Sequence, residues 1–102
     1  MKVLAVGGLI ACLISVPALA SCIAPQPPAH LPDGASATRE DMVAALKAIK
    51  AYETAVKDFS DCAKQTTDEI QMQIADRAVE KLASIAEKFN SELYAFKKRN
   101  GV

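Results

Sequence analysis

Apolar residues follow a helical period through the middle and C-terminal parts of the chain. Between Ala35 and Asn100 there is neither glycine nor proline, and helix-favouring Ala, Lys, Glu and Leu are common. In the first half of this region, apolar residues recur at intervals of three and four, which places them on one helix face. They are Met42, Ala45, Ile49, Tyr52, Val56, Phe59 and Ala63, with Leu46 widening the stripe.

Polar residues indicate where this helix begins and where a second one follows. Thr38 is suited to the N-cap, because its side chain can accept a hydrogen bond from the first turn. Midway through the region the apolar pattern weakens, and Thr66 with Glu69 matches a capping box. We therefore predict a first helix over about residues 38–65 and a second over about residues 67–99.

The second helix has an apolar stripe of its own. A basic last turn and the Asn100-Gly101 pair after it indicate its end. A single continuous helix could not bury either stripe, whereas two antiparallel helices bury one against the other. The predicted fold class is all-α, an antiparallel two-helix hairpin over residues 38–100. The second stripe comprises Ile70, Ile74, Ala78, Leu82, Ile85, Phe89, Leu93 and Phe96.

The N-terminal residues follow a different pattern. Lys2 is followed by an apolar run over residues 3–14, and Pro17 precedes the small residues of Ala18-Leu19-Ala20. A positive start, an apolar segment and a small-residue end are the three parts of a cleavable secretory signal. Residues 1–20 are therefore predicted to be a signal peptide, and the mature protein to be exported to the periplasm or the extracellular space. The alternative is an uncleaved membrane anchor, since the apolar segment approaches the length that spans a bilayer.

Residues 21–37 are predicted to form an extended lead between the signal and the hairpin. The prolines of this segment favour polyproline II over helix or sheet, because proline fixes its backbone angle and lacks a donor. Pro32-Asp33-Gly34 predicts a turn. An extended chain of this length can double back along the first helix and cover part of the apolar surface.

Removal of the signal changes the charge balance and the cysteine count. Lys2 is lost from 12 basic residues, which leaves 11 against 12 acidic ones. A domain so close to neutral is not expected to bind nucleic acid.

Cys12 is lost as well, which leaves Cys22 and Cys62. Two cysteines in an oxidising compartment most simply form a disulfide, and a small two-helix domain would be stabilised by one.

The residues around Cys22 support a second interpretation. Leu19-Ala20-Ser21-Cys22 fits a bacterial lipobox, in which the chain is cut before the cysteine and the thiol is acylated. The lead would then tether the domain to a membrane, and Cys62 would remain an unpaired thiol. The disulfide is our first interpretation, and lipidation of Cys22 is the alternative.

The sequence offers little catalytic or metal-binding chemistry. His30 is the one histidine and is interpreted as an exposed residue of the lead. Carboxylates lie beside lysines on helix faces that are expected to be solvated, so no enzyme activity, cofactor or metal is predicted.

Two helices leave one side of their stripes partly open, which favours self-association or an unknown protein partner. Leu46, Leu93 and Phe96 are the candidate contacts.

The order of several short motifs resembles a known group of proteins. They are Pro32-Asp33-Gly34, Ala37-Thr38, Lys47-Ala48-Ile49-Lys50-Ala51-Tyr52, a lone Cys62, Phe89-Asn90 and Ala95-Phe96-Lys97. The arrangement is similar to that of small exported proteobacterial proteins of unknown function. The resemblance implies a signal peptide, a helical hairpin and a Cys22–Cys62 bond, and it implies no activity. The segment before Cys62 is more polar than the pattern of that group.

These observations predict a non-enzymatic exported module, structural or interacting, of the bacterial cell envelope. The alternative is a lipid-anchored envelope lipoprotein acylated on Cys22. In the first case a membrane is not a partner, whereas in the second it is.

We expect residues 1–20 to be absent from the mature protein, because their charge, apolar run and small-residue end match a cleavable signal. N-terminal sequencing of exported material should find a chain that begins after Ala20. A mature chain that still begins at Met1 would contradict the prediction.

Overall fold

The computed structural model describes residues 22–102, which contain two long α-helices. Helix α1 spans Arg39–Thr66 and helix α2 spans Glu69–Arg99. The helices pack against each other as a hairpin, and no strand occurs within residues 22–102. The predicted all-α hairpin, with an extended lead and one disulfide, is confirmed. The predicted signal peptide, residues 1–20, lies outside the described residues.

Helix α1 begins at the predicted cap and buries the predicted face. The Thr38 hydroxyl accepts a hydrogen bond from the Asp41 N–H at 3.1 Å, and the Asp41 carboxylate accepts one from the Thr38 N–H at 3.0 Å. This reciprocal pair is a capping box, which satisfies two backbone donors at the helix start. Every residue of the predicted α1 stripe is buried, whereas Leu46 beside it is 42% exposed.

The turn between the helices lies where the pattern weakens, but the predicted capping residues are wrong. Thr66 is the last residue of α1, and its hydroxyl donates to the Ala63 carbonyl at 2.7 Å. Thr67 has a left-handed backbone with a φ of 58°, which ends α1 there. The N-cap of α2 is Asp68, whose carboxylate accepts hydrogen bonds from two N–H groups of the first turn. The capping box predicted for Thr66 and Glu69 is therefore not formed.

The buried face of α2 differs from the prediction near the turn. Ile70 is 66% exposed and Ile74 is 38% exposed, whereas Ala75 is buried. Ala75 packs with Phe59 and Ala63 of α1, so a small residue lies where the helices meet. Apolar residues occur on several faces of α2 in this region, so their spacing did not identify the one that packs. Further along α2, the remaining predicted positions are buried or half-buried.

The extended lead lies along one side of the hairpin. From Cys22, which is held beside α1, it runs back toward the start of that helix and reaches a turn at residues 33–36. Leu31 packs against the core cluster that contains Ile49 and Phe89. The lead therefore adds a third layer over the seam between the helices. The α1 residues that line clefts with the lead include small side chains, which leave room for an extended backbone: Ala44, Ala48, Ala51 and Ala55.

A disulfide between Cys22 and Cys62 fixes the start of the lead. The two Cα atoms are 5.8 Å apart, within the usual range for bonded cysteines. Cys22 also packs against the small core cluster near the turn. The bond joins residues 40 positions apart, and closing such a loop in the unfolded chain is expected to stabilise the fold by about 4 kcal/mol.

Replacing Cys62 by serine should lower the free energy of unfolding by about 2–5 kcal/mol, because the unfolded chain regains the entropy that the loop removes. The helices keep their own hydrogen bonds, so the far-ultraviolet circular dichroism signal at low temperature should be largely retained. Thermal denaturation measures the loss.

The Cys22→Ser variant of the mature chain is the matched control. It removes the same bond at its other cysteine and should have the same melting temperature as Cys62→Ser. A Cys62→Ser variant that melts like the parent would refute the stabilising role. So would two free thiols in the parent purified without reductant.

Candidate functional site: an open apolar groove

An apolar groove lies between the two helices on the side away from the lead. Its volume is about 480 Å³, and it runs between the first half of α1 and the second half of α2. Core residues Met42, Ile49 and Phe89 line it. Val43 and Leu46, which are 43% and 42% exposed, form its α1 wall. Apolar side chains that remain this accessible in a groove gain stability when something covers them.

The second wall comes from α2 and the chain end. Ala86, Leu93 and Phe96 lie along α2, and Val102 follows the helix. The Val102 N–H donates to the Lys97 carbonyl at 2.9 Å, which turns the last residue back toward the helix. The charged residues that line the groove are Arg39, Lys50, Glu53 and Lys97.

The α2 wall belongs to a longer repeat. Met72, Val79, Ala86 and Leu93 recur at intervals of seven residues, along the edge of the stripe that packs on α1 and joining it at Leu93. Met72 is 37% exposed and Val79 is 49% exposed. A helix whose apolar face extends beyond the contact with one neighbour is typical of a bundle, in which it packs against more than one.

Toward the turn, the same side of the hairpin becomes polar. A second cleft of about 300 Å³ is lined by Ser60 and Lys64 from α1 and by Glu69, Met72 and Asp76 from α2, among others. We call the groove and this cleft together the open side. The open side thus has an apolar half near the chain end and a charged half near the turn. In the charged half the basic group is on α1 and the acidic groups are on α2.

The turn of the lead at Gly34 is clamped to the end of α2. The Gly34 N–H donates to Oε1 of Glu92 at 2.8 Å. The Arg99 guanidinium donates to the Gly34 carbonyl at 3.3 Å and to the Ala37 carbonyl, and it lies 5.5 Å from the centre of the Phe96 ring. Arg99 therefore joins the lead to the helix that carries one groove wall, in addition to its place in the basic last turn.

Tyr52 lies on the lead side of the core. It is 5% exposed and lines a cleft with Pro25 and Pro28. Burial raises the pKa of its phenol above the ordinary value of 10.0, because the charged form is poorly solvated there. Tyr52 is therefore uncharged at physiological pH and serves as a packing residue.

The structure brings together some of the residues that the sequence singled out. Cys22 and Cys62 are bonded, and Leu46, Leu93 and Phe96 line one groove. Within residues 22–102, no group of three or more His, Cys, Asp or Glu side chains is placed to hold a metal ion. Over the same residues, no helix combines the length and apolarity needed to cross a membrane.

Sequence reasoning missed two features of the site. The first is the contribution of Val43 and Ala86 to the groove, and the seven-residue repeat along α2 was a signal that could have indicated part of it. The second is the clamp between Gly34 and Glu92. These residues are 58 positions apart, and no local pattern marks such a contact.

Comparisons of this chain with models of known protein families, with curated proteins and with solved structures give no match. The resemblance to small exported proteobacterial proteins therefore stays a prediction.

Replacing Gly34 by alanine should lower the free energy of unfolding by about 1–3 kcal/mol. A Cβ at this position would overlap the Glu92 carbonyl oxygen and lie 2.7 Å from the Glu92 carbonyl carbon, and helical backbone cannot move aside. The turn would have to lift from α2, which breaks the hydrogen bonds of the clamp. Urea denaturation measures the effect.

Ser36→Ala, at an exposed position of the same turn, is the control and should unfold like the parent. If Gly34→Ala were as stable as the parent, the close packing of the lead on α2 would be disproved.

Proposed function

We propose that this protein is a non-enzymatic, exported interaction module of the bacterial cell envelope. The observation that carries the proposal is the apolar groove that stays open on a hairpin whose other side is covered by a disulfide-anchored lead. The lead and the clamp fix the two helices, so the groove walls are held in place before a partner arrives. Preorganisation of this kind lowers the entropic cost of binding.

The lining of the groove favours binding over catalysis. The core residues that line it, such as Met42, Ile49 and Phe89, are apolar and have no group that could transfer a proton or attack a substrate. Apolar walls with charged residues nearby match the pattern of a protein-binding surface, in which the centre supplies affinity and the rim supplies orientation.

The disulfide supports an exported location. Structural disulfides form and persist mainly in oxidising compartments, such as the periplasm and the extracellular space. The Cys22–Cys62 bond gives a small domain the stability that two helices alone supply poorly. The predicted signal peptide would deliver the chain to such a compartment.

The lipobox-like Leu19-Ala20-Ser21-Cys22 segment favours a second candidate, a lipid-anchored envelope lipoprotein. Acylation uses the sulfur of Cys22, so the same molecule cannot also carry the Cys22–Cys62 bond. The pairing of the two cysteines therefore supports the unacylated form.

The intact mass of the mature protein distinguishes the two candidates. The full chain should be expressed in a bacterial host, and the exported fraction purified without reductant. We expect a chain that begins at Ser21 and is lighter than its reduced form by two hydrogen atoms. A chain that begins at Cys22 and carries a diacylglyceryl group would favour the lipoprotein.

The Cys62→Ser variant is the control for this measurement. It should be exported with a free Cys22 thiol if the disulfide form is native, and it should still be acylated if the lipoprotein form is native. Full-length chain retained in the cytoplasm would refute both envelope functions.

A further inference from the structure

We propose that the open side of the hairpin binds a second copy of the same chain, which gives a two-fold symmetric four-helix bundle. The inference rests on the proposed function, because it names the partner of the same groove. Three features of the open side support it: the repeat along α2, the separation of apolar and charged halves, and the placement of the charges.

The repeat along α2 points to a helical partner that lies along the hairpin. Met72 and Leu93 are the ends of the seven-residue repeat and lie about 32 Å apart along the helix axis. A seven-residue repeat drifts by only about 20° per heptad, so a stripe of this length matches another helix packed at a small crossing angle. Two adjacent helices, each about 10 Å wide, present about 640 Å² over this length, near the lower end of the roughly 600–1,000 Å² per partner of stable interfaces.

The apolar and charged halves determine how two copies can face each other. If both turns lie at the same end, α1 of each copy packs against α2 of the other. Val43 and Leu46 then meet Ala86 and Leu93 of the second copy, and both apolar halves are buried. If the turns lay at opposite ends, each apolar half would face the charged half of the other copy, and apolar burial would be lost.

The charges near the turn favour the same arrangement. With both turns at one end, Lys64 on α1 of one copy faces Glu69 and Asp76 on α2 of the other, and symmetry repeats the contact. The charged half of the open side thus complements itself under this rotation, as a symmetric interface requires. All neighbouring helices of the bundle are antiparallel, so the interaction between their dipoles is favourable.

Sedimentation equilibrium of the exported protein, purified without reductant, tests the proposal. We expect a dimer at micromolar concentration. Leu46→Lys should weaken dimerisation roughly 100-fold, because it places a charge in the middle of the buried apolar half. Ile70→Lys is the matched control, since Ile70 is an equally apolar, 66% exposed residue that lines neither cleft of the open side, and it should leave the dimer intact.

Charge reversal gives a second test that does not depend on the apolar core. Lys64→Glu and Asp76→Lys should each weaken dimerisation roughly threefold to tenfold, since exposed ion pairs contribute modestly. The double variant should restore part of the affinity, because the pair between positions 64 and 76 re-forms with opposite sign while Glu69 stays acidic. Circular dichroism melts of each variant verify that the hairpin itself is folded.

A spin label tests the orientation. A cysteine placed at exposed Gln65, labelled after the native disulfide has formed, marks the turn. Two labels should lie close together, whereas turns at opposite ends would separate them by about 45 Å, the length of the 31-residue α2. A large separation would overturn the arrangement.

A protein that is monomeric at every concentration, or a dimer that Leu46→Lys leaves unchanged, would overturn the proposal. We would then expect the groove to bind a different protein. A monomer that is still exported would refute the dimer and leave the proposed function intact. A dimer retained in the cytoplasm would refute the export and leave the dimer intact.

Discussion

The anchoring of the extended lead is the interaction on which the rest of the structure depends. Two helices share only one seam, so each has an apolar flank on either side of that contact. The lead covers one flank, and it lacks helical or sheet hydrogen bonds that would order it. The Cys22–Cys62 bond at one end and the clamp of Gly34 on Glu92 and Arg99 at the other hold it in place. Without both attachments, the entropy of an extended chain would favour release.

Much of the hairpin could be predicted from the sequence, because local patterns determine helices. The α1 stripe from Met42 to Ala63 has regular spacing and one clearly apolar face, and that face is the buried one. Thr38 caps the helix as its type suggests. Near the start of α2 the pattern is ambiguous, because Ile70 and Ile74 lie on one face and Met72 lies on another. There the small Ala75 packs against α1. Which residue fits between two helices depends on the side chains of both helices and not on one segment alone.

The candidate site could be predicted only in part. Leu46 and Leu93 follow from the width of the two stripes, and they line the groove. Which flank the lead would cover did not follow from hydrophobicity. The choice of flank depends on the small alanines along one side of α1, which leave room for an extended backbone. It also depends on a clamp between residues far apart in the chain. Such contacts arise from the tertiary arrangement and produce no periodic pattern in the sequence.

The disulfide also sets the direction in which the domain is presented. Cys62 lies near the end of α1 close to the turn, so the lead enters the fold there rather than at the start of the hairpin. From Cys62 to Val43, at the groove wall, α1 rises about 28 Å. Whatever precedes residue 22 in the chain is therefore joined near the turn between the helices, whereas the apolar groove lies in the half of the hairpin near the chain end. About 28 Å of helix thus separates the proposed binding surface from the place where the preceding chain enters the domain.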